Sequence, residues 1–219
     1  MRGEVGRYTV AAGLIVAVIA LTHAGPAVGA GAGILLYNRL NRNSTFENDT
    51  RRRIFDFVKT MPGSCIADIA GSAGVSHSTA SYHLDKLLAF NLLTSTVDGN
   101  KVRFFINGGA FSEEERRTLA VLDNAETRRV LAEILKHPWC YRAELTSILG
   151  VSSPTVNWHL ERLQDASLVQ ENRSGRNRFL FCDKNRLGTL LAALLKKLGD
   201  TGYDRRPLED LAVLAQNAP

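Results

Sequence analysis

Residues 75–87 read VSHSTASYHLDKL and residues 151–163 read VSSPTVNWHLERL, and these two stretches decide the fold. They lie 76 residues apart, within an alignment without gaps that joins residues 50–99 to residues 126–175. Thirteen of those 50 aligned positions are identical. A repeat of this length predicts one structural unit that occurs twice in the chain.

Each copy predicts two helices joined by a tight turn. The first helix stops before a proline, which cannot continue it. Gly74 and Gly150 follow the second helix, where a residue that tolerates positive φ is needed, and Ser76 and Ser152 then cap the next helix. The predicted bounds of these helices are 51–60 and 66–73 in the first copy, and 127–136 and 142–149 in the second.

A third helix and a short hairpin complete each copy. Each third helix carries an apolar stripe that faces inward, and a glycine lies at each hairpin turn. The stripe consists of Ala80, Leu84, Leu87 and Leu88 in the first copy and of Val156, Leu160 and Leu163 in the second. The third helices are predicted at 77–89 and 153–165, and the hairpin strands at 92–97 and 102–106, and at 168–173 and 178–182.

The segment at residues 75–87 closely resembles the turn and recognition helix of ArsR-like winged-helix regulators, and residues 151–163 resemble the same segment. The resemblance covers roughly residues 50–183 in two copies. A tandem arrangement behind an apolar N-terminus is similar to that of prokaryotic, particularly archaeal, membrane-associated regulators. The resemblance implies that the third helix lies in the major groove of double-stranded DNA and that the hairpin, or wing, contacts phosphate or the minor groove.

The inward stripe leaves one face of each third helix pointing outward, because an α-helix repeats every 3.6 residues. The outward residues are Ser78, Ser81, Tyr82 and Asp85 in the first copy and Pro154, Asn157, Trp158 and Glu161 in the second. Asn157 can form a paired contact with adenine. The candidate DNA-binding residues are His77, Ser78, Ser81 and Tyr82; Ser153, Thr155, Asn157, Trp158 and Arg162; and the wing cations Lys101, Arg103, Arg173, Arg176 and Arg178, which suit phosphate.

Other roles compete with DNA contact at several positions. Packing or capping is the stronger expectation for the four residues at the edge of the stripe, which are Thr79, His83, Thr155 and His159. The aromatic residues Tyr82 and Trp158 also suit a protein partner. Asp85 and Glu161 depart from a strongly basic recognition helix, because a carboxylate on the face toward the groove repels phosphate.

Residues 8–37 contain no Asp, Glu, Lys or Arg, and the run exceeds the length of about 20 residues that a membrane-spanning helix needs. One helix of this length, about 45 Å, must tilt, kink or break, and Pro26 is the obvious place. A cleaved signal peptide and a hairpin of two half-length segments are the alternatives. The arginines after the run predict that this side is cytoplasmic, whereas sequons at 43–45 and 48–50 would support export.

Composition narrows the remaining function classes. A hydrophobic fraction of 45% and a charged fraction of 22% are typical of a folded protein. The net charge is +5, but residues 1–43 contribute +3 of it, so charge alone does not predict DNA binding. Cys65, Cys140 and Cys182 are widely spaced, which indicates reduced thiols and neither a metal nor another cofactor. No phosphate-binding loop or catalytic constellation predicts an enzyme.

Two helices are predicted outside the repeats. Residues Ser112 to Glu115 form a capping box for a connecting helix that ends at Leu122. After the second copy, leucines recur at helical spacing between Leu187 and Leu198. This stripe must pack either on the second domain or on another chain, as a homodimer.

The sequence therefore predicts a mainly α protein with small β-hairpin wings, built from two tandem winged helix-turn-helix domains preceded by a transmembrane helix. The predicted boundaries are 8–37 for the transmembrane segment, 46–108 for the first winged-helix domain, 112–183 for the connecting helix and second winged-helix domain, and 184–219 for a helical tail. The predicted function is a membrane-anchored, DNA-binding transcriptional regulator with its domains in the cytoplasm. The alternative is a winged-helix module that binds protein partners at the membrane.

Overall fold

The computed structural model describes residues 46–174 and 177–218. The predicted transmembrane segment at 8–37 and the wing residue Arg176 lie outside these ranges. Among the helices that the structure describes, none combines the length and the apolar character needed to span a bilayer.

The N-terminal unit (residues 49–106) contains three helices and a three-stranded antiparallel sheet. Its elements are α1 (Asp49–Thr60), β1 (Ser64–Cys65), α2 (Ile66–Ala73), α3 (His77–Ala89), β2 (Leu93–Asp98) and β3 (Lys101–Ile106). The strand order is β1-β3-β2. Strands β2 and β3 form the first wing, in which Asp98 pairs with Lys101 across the turn.

The C-terminal unit (residues 125–181) repeats the order of three helices and a hairpin. The connecting helix is α4 (Glu113–Leu122), and the unit itself comprises α5 (Ala125–Lys136), α6 (Arg142–Leu149), α7 (Ser153–Asp165), β4 (Gln170–Ser174) and β5 (Asn177–Phe181). Two helices follow, α8 (Lys184–Lys197) and α9 (Arg206–Asn217). The mainly helical fold with small antiparallel sheets is therefore confirmed.

The helices of both units agree with the predicted ones, except that α1 and α5 begin two residues earlier. The reason is an asparagine cap that the sequence pattern did not reveal. The Asn48 side-chain oxygen accepts a hydrogen bond from the N–H of Arg51 over 2.9 Å, and Asn124 accepts one from the N–H of Thr127 over 2.9 Å. Each cap satisfies an amide that the first turn leaves without a helical partner.

The wing strands β2 and β4 begin one and two residues later than predicted. Leu92 and Leu168 instead close the turn after the third helix, because their N–H groups donate to carbonyl oxygens of that helix over 2.9 Å. The residues before them, Asn91 and Ser167, adopt positive φ angles of 57° and 59°. The chain thus satisfies the helix C-terminus before it extends.

Two hydrophobic cores meet at strand β3. The smaller core contains Ile54 and Leu84 of the N-terminal unit together with Phe104. The larger core contains residues of the C-terminal unit, α4, α8 and α9, and it also includes Phe105 and Phe111. Because side chains alternate along a strand, β3 contributes opposite faces to the two cores. The first wing is consequently packed between the units.

The leucine stripe of α8 is buried within the chain. Leu187, Leu191, Leu194 and Leu198 are at most 2% exposed and lie in the larger core. Helix α9 packs directly against α8. The structure therefore supports the intramolecular prediction, and the stripe is not available as the surface of the homodimer that was the alternative.

The predicted capping box of α4 is confirmed. The Glu115 carboxylate accepts a hydrogen bond from the N–H of Ser112 over 2.6 Å, and Ser112 Oγ accepts one from the N–H of Glu115 over 3.2 Å. Lys197 Nζ donates to the same carboxylate over 2.6 Å. Burial acts to raise the pKa of Glu115, but together these contacts outweigh burial and hold that pKa below its usual range. The capping box therefore also fastens α8 to the connecting helix.

Candidate nucleic-acid interface

The two recognition helices, α3 and α7, begin with the same cap. The glycine before each cap has left-handed backbone angles, with φ of 65° in the first unit and 68° in the second. Ser76 Oγ accepts a hydrogen bond from the N–H of Thr79 over 3.2 Å, and Ser152 Oγ accepts one from the N–H of Thr155 over 3.4 Å. The threonine hydroxyls also bond to these serines, at 2.9 and 2.8 Å. Ser76 and Ser152 are therefore the caps, as predicted, and the Thr79 and Thr155 hydroxyls are bonded to them at the helix start.

The outward face of each recognition helix is open to solvent. Tyr82 is 54% exposed and Trp158 is 45% exposed. Asp85 and Glu161 are exposed on the same helices. Of the remaining candidates on these helices, His77, Ser78, Ser153 and Thr155 are exposed, and Ser81 and Asn157 are half-buried. The exposed side chains in the N-terminal half of α7 are thus accessible to another macromolecule.

The repeated histidines pack inside their units, as predicted. His159 Nδ1 lies 2.8 Å from the Thr127 hydroxyl, and this hydrogen bond joins α7 to α5. Burial lowers the pKa of His159 below 6.5, and the positive charge of Arg162 lowers it further. Burial likewise lowers the pKa of His83. Both imidazoles are therefore stabilised in the neutral form.

Asn157 is held by a side chain that the sequence analysis did not consider. Its Oδ1 accepts a hydrogen bond from Arg142 Nη1 over 2.7 Å. The same arginine donates through Nε to Glu171 Oε1 over 3.0 Å. A paired contact with adenine needs the Asn157 oxygen as an acceptor, so Arg142 must release it first. The network instead ties α6, α7 and strand β4 together.

Arg162 is buried between the two units. Its Nε donates to Asp98 Oδ1 over 2.9 Å, and its Nη2 lies 2.6 and 2.5 Å from the two oxygens of the same carboxylate. The two side chains are only 10% and 2% exposed. The Trp158 indole covers the guanidinium, with 4.3 Å between Cζ and the ring centre. The prediction that Arg162 contacts DNA is corrected, because the guanidinium is already paired inside the protein.

Arg103 is also internal. Its Nη2 lies 2.7 Å from Asp123 Oδ2, and its Nη1 donates to the carbonyl oxygen of Gly63 over 3.1 Å. Only 5% of the Arg103 side chain is exposed, so the predicted phosphate contact is corrected as well. Lys101 remains exposed at the turn of the same wing. We refer to Asp98, Arg103, Asp123 and Arg162 together as the inter-unit ion cluster.

The second wing presents its cations outward. Arg173 is exposed on β4, and the Arg178 side chain on β5 is 62% exposed. Arg178 Nη1 lies 3.8 Å from Glu171 Oε2, and the other oxygen of that carboxylate binds Arg142. The structure thus brings the second wing and α7 into one connected surface.

The cysteines and the possible metal ligands can be placed within the described residues. Within residues 46–174 and 177–218, no group of three or more His, Cys, Asp or Glu side chains is placed to hold a metal ion. Cys140 and Cys182 are free and buried, and burial raises their pKa values to about 11 and about 12. Both thiols are therefore protonated near neutral pH.

The structural roles of Asp98 and Arg142 were not predicted from the sequence. A signal for Asp98 does exist in the repeat, because Asp98 aligns with Ser174 while Arg162 aligns with Lys86. Asp98 of the first copy can therefore pair with Arg162 of the second copy, whereas the aligned residues Lys86 and Ser174 offer no such ion pair. Arg142 aligns with Ile66, and this change from an apolar to a charged residue was the corresponding signal.

Part of the chain is similar in sequence to known DNA-binding proteins. Residues 126–170, from α5 to the start of the second wing, match the family model of winged helix-turn-helix DNA-binding domains. A 144-residue stretch is 25% identical to an uncharacterized HTH-type transcriptional regulator of Methanocaldococcus jannaschii. The match covers 66% of this chain and 36% of that relative, so the chain spans well under half of the relative's length. The chain thus carries a winged helix-turn-helix DNA-binding domain in its C-terminal unit.

Proposed function

We propose that the chain regulates transcription by binding double-stranded DNA through the C-terminal unit. The observation that carries this proposal is the open N-terminal half of α7 beside the second wing, within the segment that matches winged helix-turn-helix domains. Ser153 and Trp158 would enter the major groove, and Arg173 and Arg178 would contact phosphate. The description of the similar archaeal protein as a transcriptional regulator supports the regulatory role. No step of this function requires catalysis.

We further propose that the N-terminal unit is a second, ArsR-like winged-helix module. The support is the repeat in sequence and the shared order of three helices and a hairpin over residues 49–106 and 125–181, to which the first unit adds the two-residue strand β1. The exposed face of α3, with His77, Ser78 and Tyr82, would be its reading surface. Two linked modules let one chain contact two half-sites, which raises the overall affinity without further contacts.

Anchoring at the membrane is also a proposal, and it rests on composition alone. The uncharged run at residues 8–37 would enter the bilayer, and the arginines that follow it would keep the two units in the cytoplasm. An alkaline carbonate wash of membranes from the source organism tests this. We expect the chain to stay in the membrane pellet, and its release into the wash would overturn the anchor.

A protein-binding role is the second candidate, and the exposed Asp85 and Glu161 favour it. Both carboxylates lie on the recognition helices, where phosphate would be repelled. A partner protein with basic groups would tolerate them. Salt separates the two candidates, because binding that depends on six to ten phosphates loses about 10³-fold or more in affinity between 50 and 200 mM salt.

Selection of DNA tests the proposed function. The full-length chain, purified in detergent, is mixed with fragmented DNA of the source organism, and the retained fragments are sequenced. We expect a restricted set of fragments for the wild type and a loss of this selectivity for Trp158→Ala. Val213→Ala is the control for loss of an exposed apolar side chain elsewhere, because Val213 is 57% exposed on α9. Retained fragments without any shared sequence would contradict specific DNA binding.

A further inference from the structure

The two wings have different surroundings, although the units share one order of elements. The turn of the first wing lies against α7, the recognition helix of the other unit, through the pair of Asp98 and Arg162. The aligned residues Ser174 and Lys86 cannot form the corresponding ion pair. The repeat therefore allows this contact only between the first wing and α7, and not between the second wing and α3.

The pair is built to fix the position of the first wing. A guanidinium that binds one carboxylate with two nitrogens constrains both distance and orientation. Arg103 supports the arrangement from the wing side, where its Nη2 binds Asp123 at the end of α4. The apolar contact of Phe105 with the larger core supplies a second attachment of the same wing. The turn of the first wing is thus held against α7.

A crevice of about 320 Å³ lies beside the ion cluster and opens to solvent. It is lined by residues from both units, and its polar groups are donors as well as acceptors. The lining includes Asn100 and Lys101 from the turn of the first wing, Asn124 at the start of α5, and Trp158 of α7. Lys101 and Trp158, which belong to different units, therefore border one opening.

We propose that the turn of the first wing contacts the DNA backbone next to α7 of the other unit, and does not serve its own recognition helix α3. This inference rests on the proposed function and deepens it. In it, Lys101 binds a phosphate that flanks the groove entered by α7, and the amides of Asn100 and Asn124 add neutral donors to the same stretch of backbone. Asp98 is a positioning residue, which acts through Arg162 and does not touch DNA.

The chemistry of the crevice suits a phosphodiester backbone. An exposed lysine offers a single mobile charge, and asparagine amides donate to phosphate oxygen. The acidic groups nearby, Asp98 and Asp123, are already neutralised by Arg162 and Arg103. The approach of a phosphate is consequently not opposed by an unpaired carboxylate of the cluster. Glu161 lies on the same helix as Trp158, and its negative charge reduces the affinity that these contacts add.

A double-mutant cycle tests which helix the first wing serves. The probe is the duplex that the full-length wild-type chain enriches from a random-sequence library, and affinity is measured by fluorescence anisotropy at several salt concentrations. The variants are Lys101→Ala, Trp158→Ala and Tyr82→Ala, singly and as the two pairs that contain Lys101→Ala. All three side chains are exposed, but Trp158 also covers the guanidinium of Arg162. Urea denaturation of each variant therefore checks that the ion cluster and the fold persist. Lys59→Ala is the control for loss of an exposed lysine elsewhere.

The inference predicts coupling between Lys101 and Trp158. Lys101→Ala is expected to weaken binding and to reduce the slope of log affinity against log salt by about 1, whereas Lys59→Ala leaves that slope unchanged. The effect of Lys101→Ala is expected to shrink by about twofold or more when Trp158 is already alanine, and to be unchanged in Tyr82→Ala.

Two results would overturn the inference, and they differ in what else they overturn. Coupling of Lys101 to Tyr82, or strict additivity with both aromatic residues, would show that the wing does not serve α7 while DNA binding stands. Failure of the folded wild-type chain to enrich any duplex would overturn the proposed function and this inference together.

Discussion

Phe104 and Phe105 are consecutive residues of strand β3, but their side chains lie in different hydrophobic cores. Phe104 packs with the N-terminal unit, and Phe105 packs with the larger core that includes the C-terminal unit. The strand is therefore shared by both units, so that a shift of one unit against the other would expose an aromatic side chain. The two recognition helices consequently have a defined relative placement.

Neutralising Asp98 is expected to destabilise the chain. Asp98→Asn keeps the shape of the side chain but leaves the buried Arg162 without its counter-charge, and loss of one partner from a buried pair costs about 3–5 kcal/mol. Urea denaturation of the full-length chain, followed by tryptophan fluorescence, measures the change. Ser174→Asn at the aligned, exposed position of the second wing is the control and should have little effect. Equal stability of the two variants would contradict the importance of the ion cluster.

Two buried threonines can each be changed to valine, one with a hydrogen bond to lose and one without. Thr127 and Thr118 are both fully buried; Thr127 bonds to His159, whereas within the described residues the Thr118 hydroxyl has no hydrogen-bond partner. Thr127→Val leaves the imidazole nitrogen unsatisfied and is expected to lower the free energy of unfolding by about 1–3 kcal/mol. Thr118→Val removes a hydroxyl that has no partner and should be neutral or stabilising. Equal losses in thermal or urea denaturation would show that the hydrogen bond is not what matters at position 127.

The buried histidines predict a loss of stability in mild acid. The pKa values of His83 and His159 lie below 6.5 in the folded chain, so the unfolded chain binds more protons as the pH falls below 6.5. The contribution of these groups is constant above that pH and declines below it, toward the folded pKa. The free energy of unfolding should therefore fall between pH 7 and pH 5.5. The double variant His83→Gln and His159→Gln should have a flatter profile in this window, and an unchanged slope would refute the assignment.

The stripe of α8 is expected to affect stability and not association. Leu194 is fully buried, so Leu194→Ala should cost about 2–5 kcal/mol through lost burial and the cavity that remains. Leu195→Ala, at a half-buried position of the same helix, should cost less. Light scattering of both variants in detergent should give the same mass as the wild type. A change of mass in Leu194→Ala at a concentration where the variant is folded would indicate that the stripe lies between chains.

The repeat made much of each unit predictable from sequence. A glycine followed two residues later by a serine indicates a helix end and the cap of the next helix. The turn at Gly150 and the cap at Ser152 could be predicted from this local pattern. The apolar stripe likewise identified the inward face of α7. The strand starts were less predictable, because an apolar residue such as Leu168 suits both a turn and a strand. What decides is the hydrogen bond from the Leu168 N–H to the Leu163 carbonyl oxygen, which the apolar pattern does not reveal.

The candidate interface was predicted only where the residues act locally. Trp158 and Glu161 are exposed on the predicted face, because their positions follow from helical periodicity. Arg103 and Arg162 were assigned to DNA because an arginine on a wing or recognition helix suits phosphate, but each finds a carboxylate from a distant part of the chain. A pairing between the copies depends on how the units pack, and helical periodicity within one copy contains no information about that packing.

The most direct test of the central claim is a salt titration of DNA binding by the full-length chain. The anisotropy of a labelled duplex enriched by the wild type is compared with that of a scrambled duplex of the same length and composition. A DNA-binding regulator predicts tighter binding of the enriched duplex at every salt concentration and a log affinity that falls linearly with log salt, by about 0.9 for each phosphate contacted. Equal affinity for both duplexes, or no binding at low salt by a chain that is folded by circular dichroism, would contradict the account.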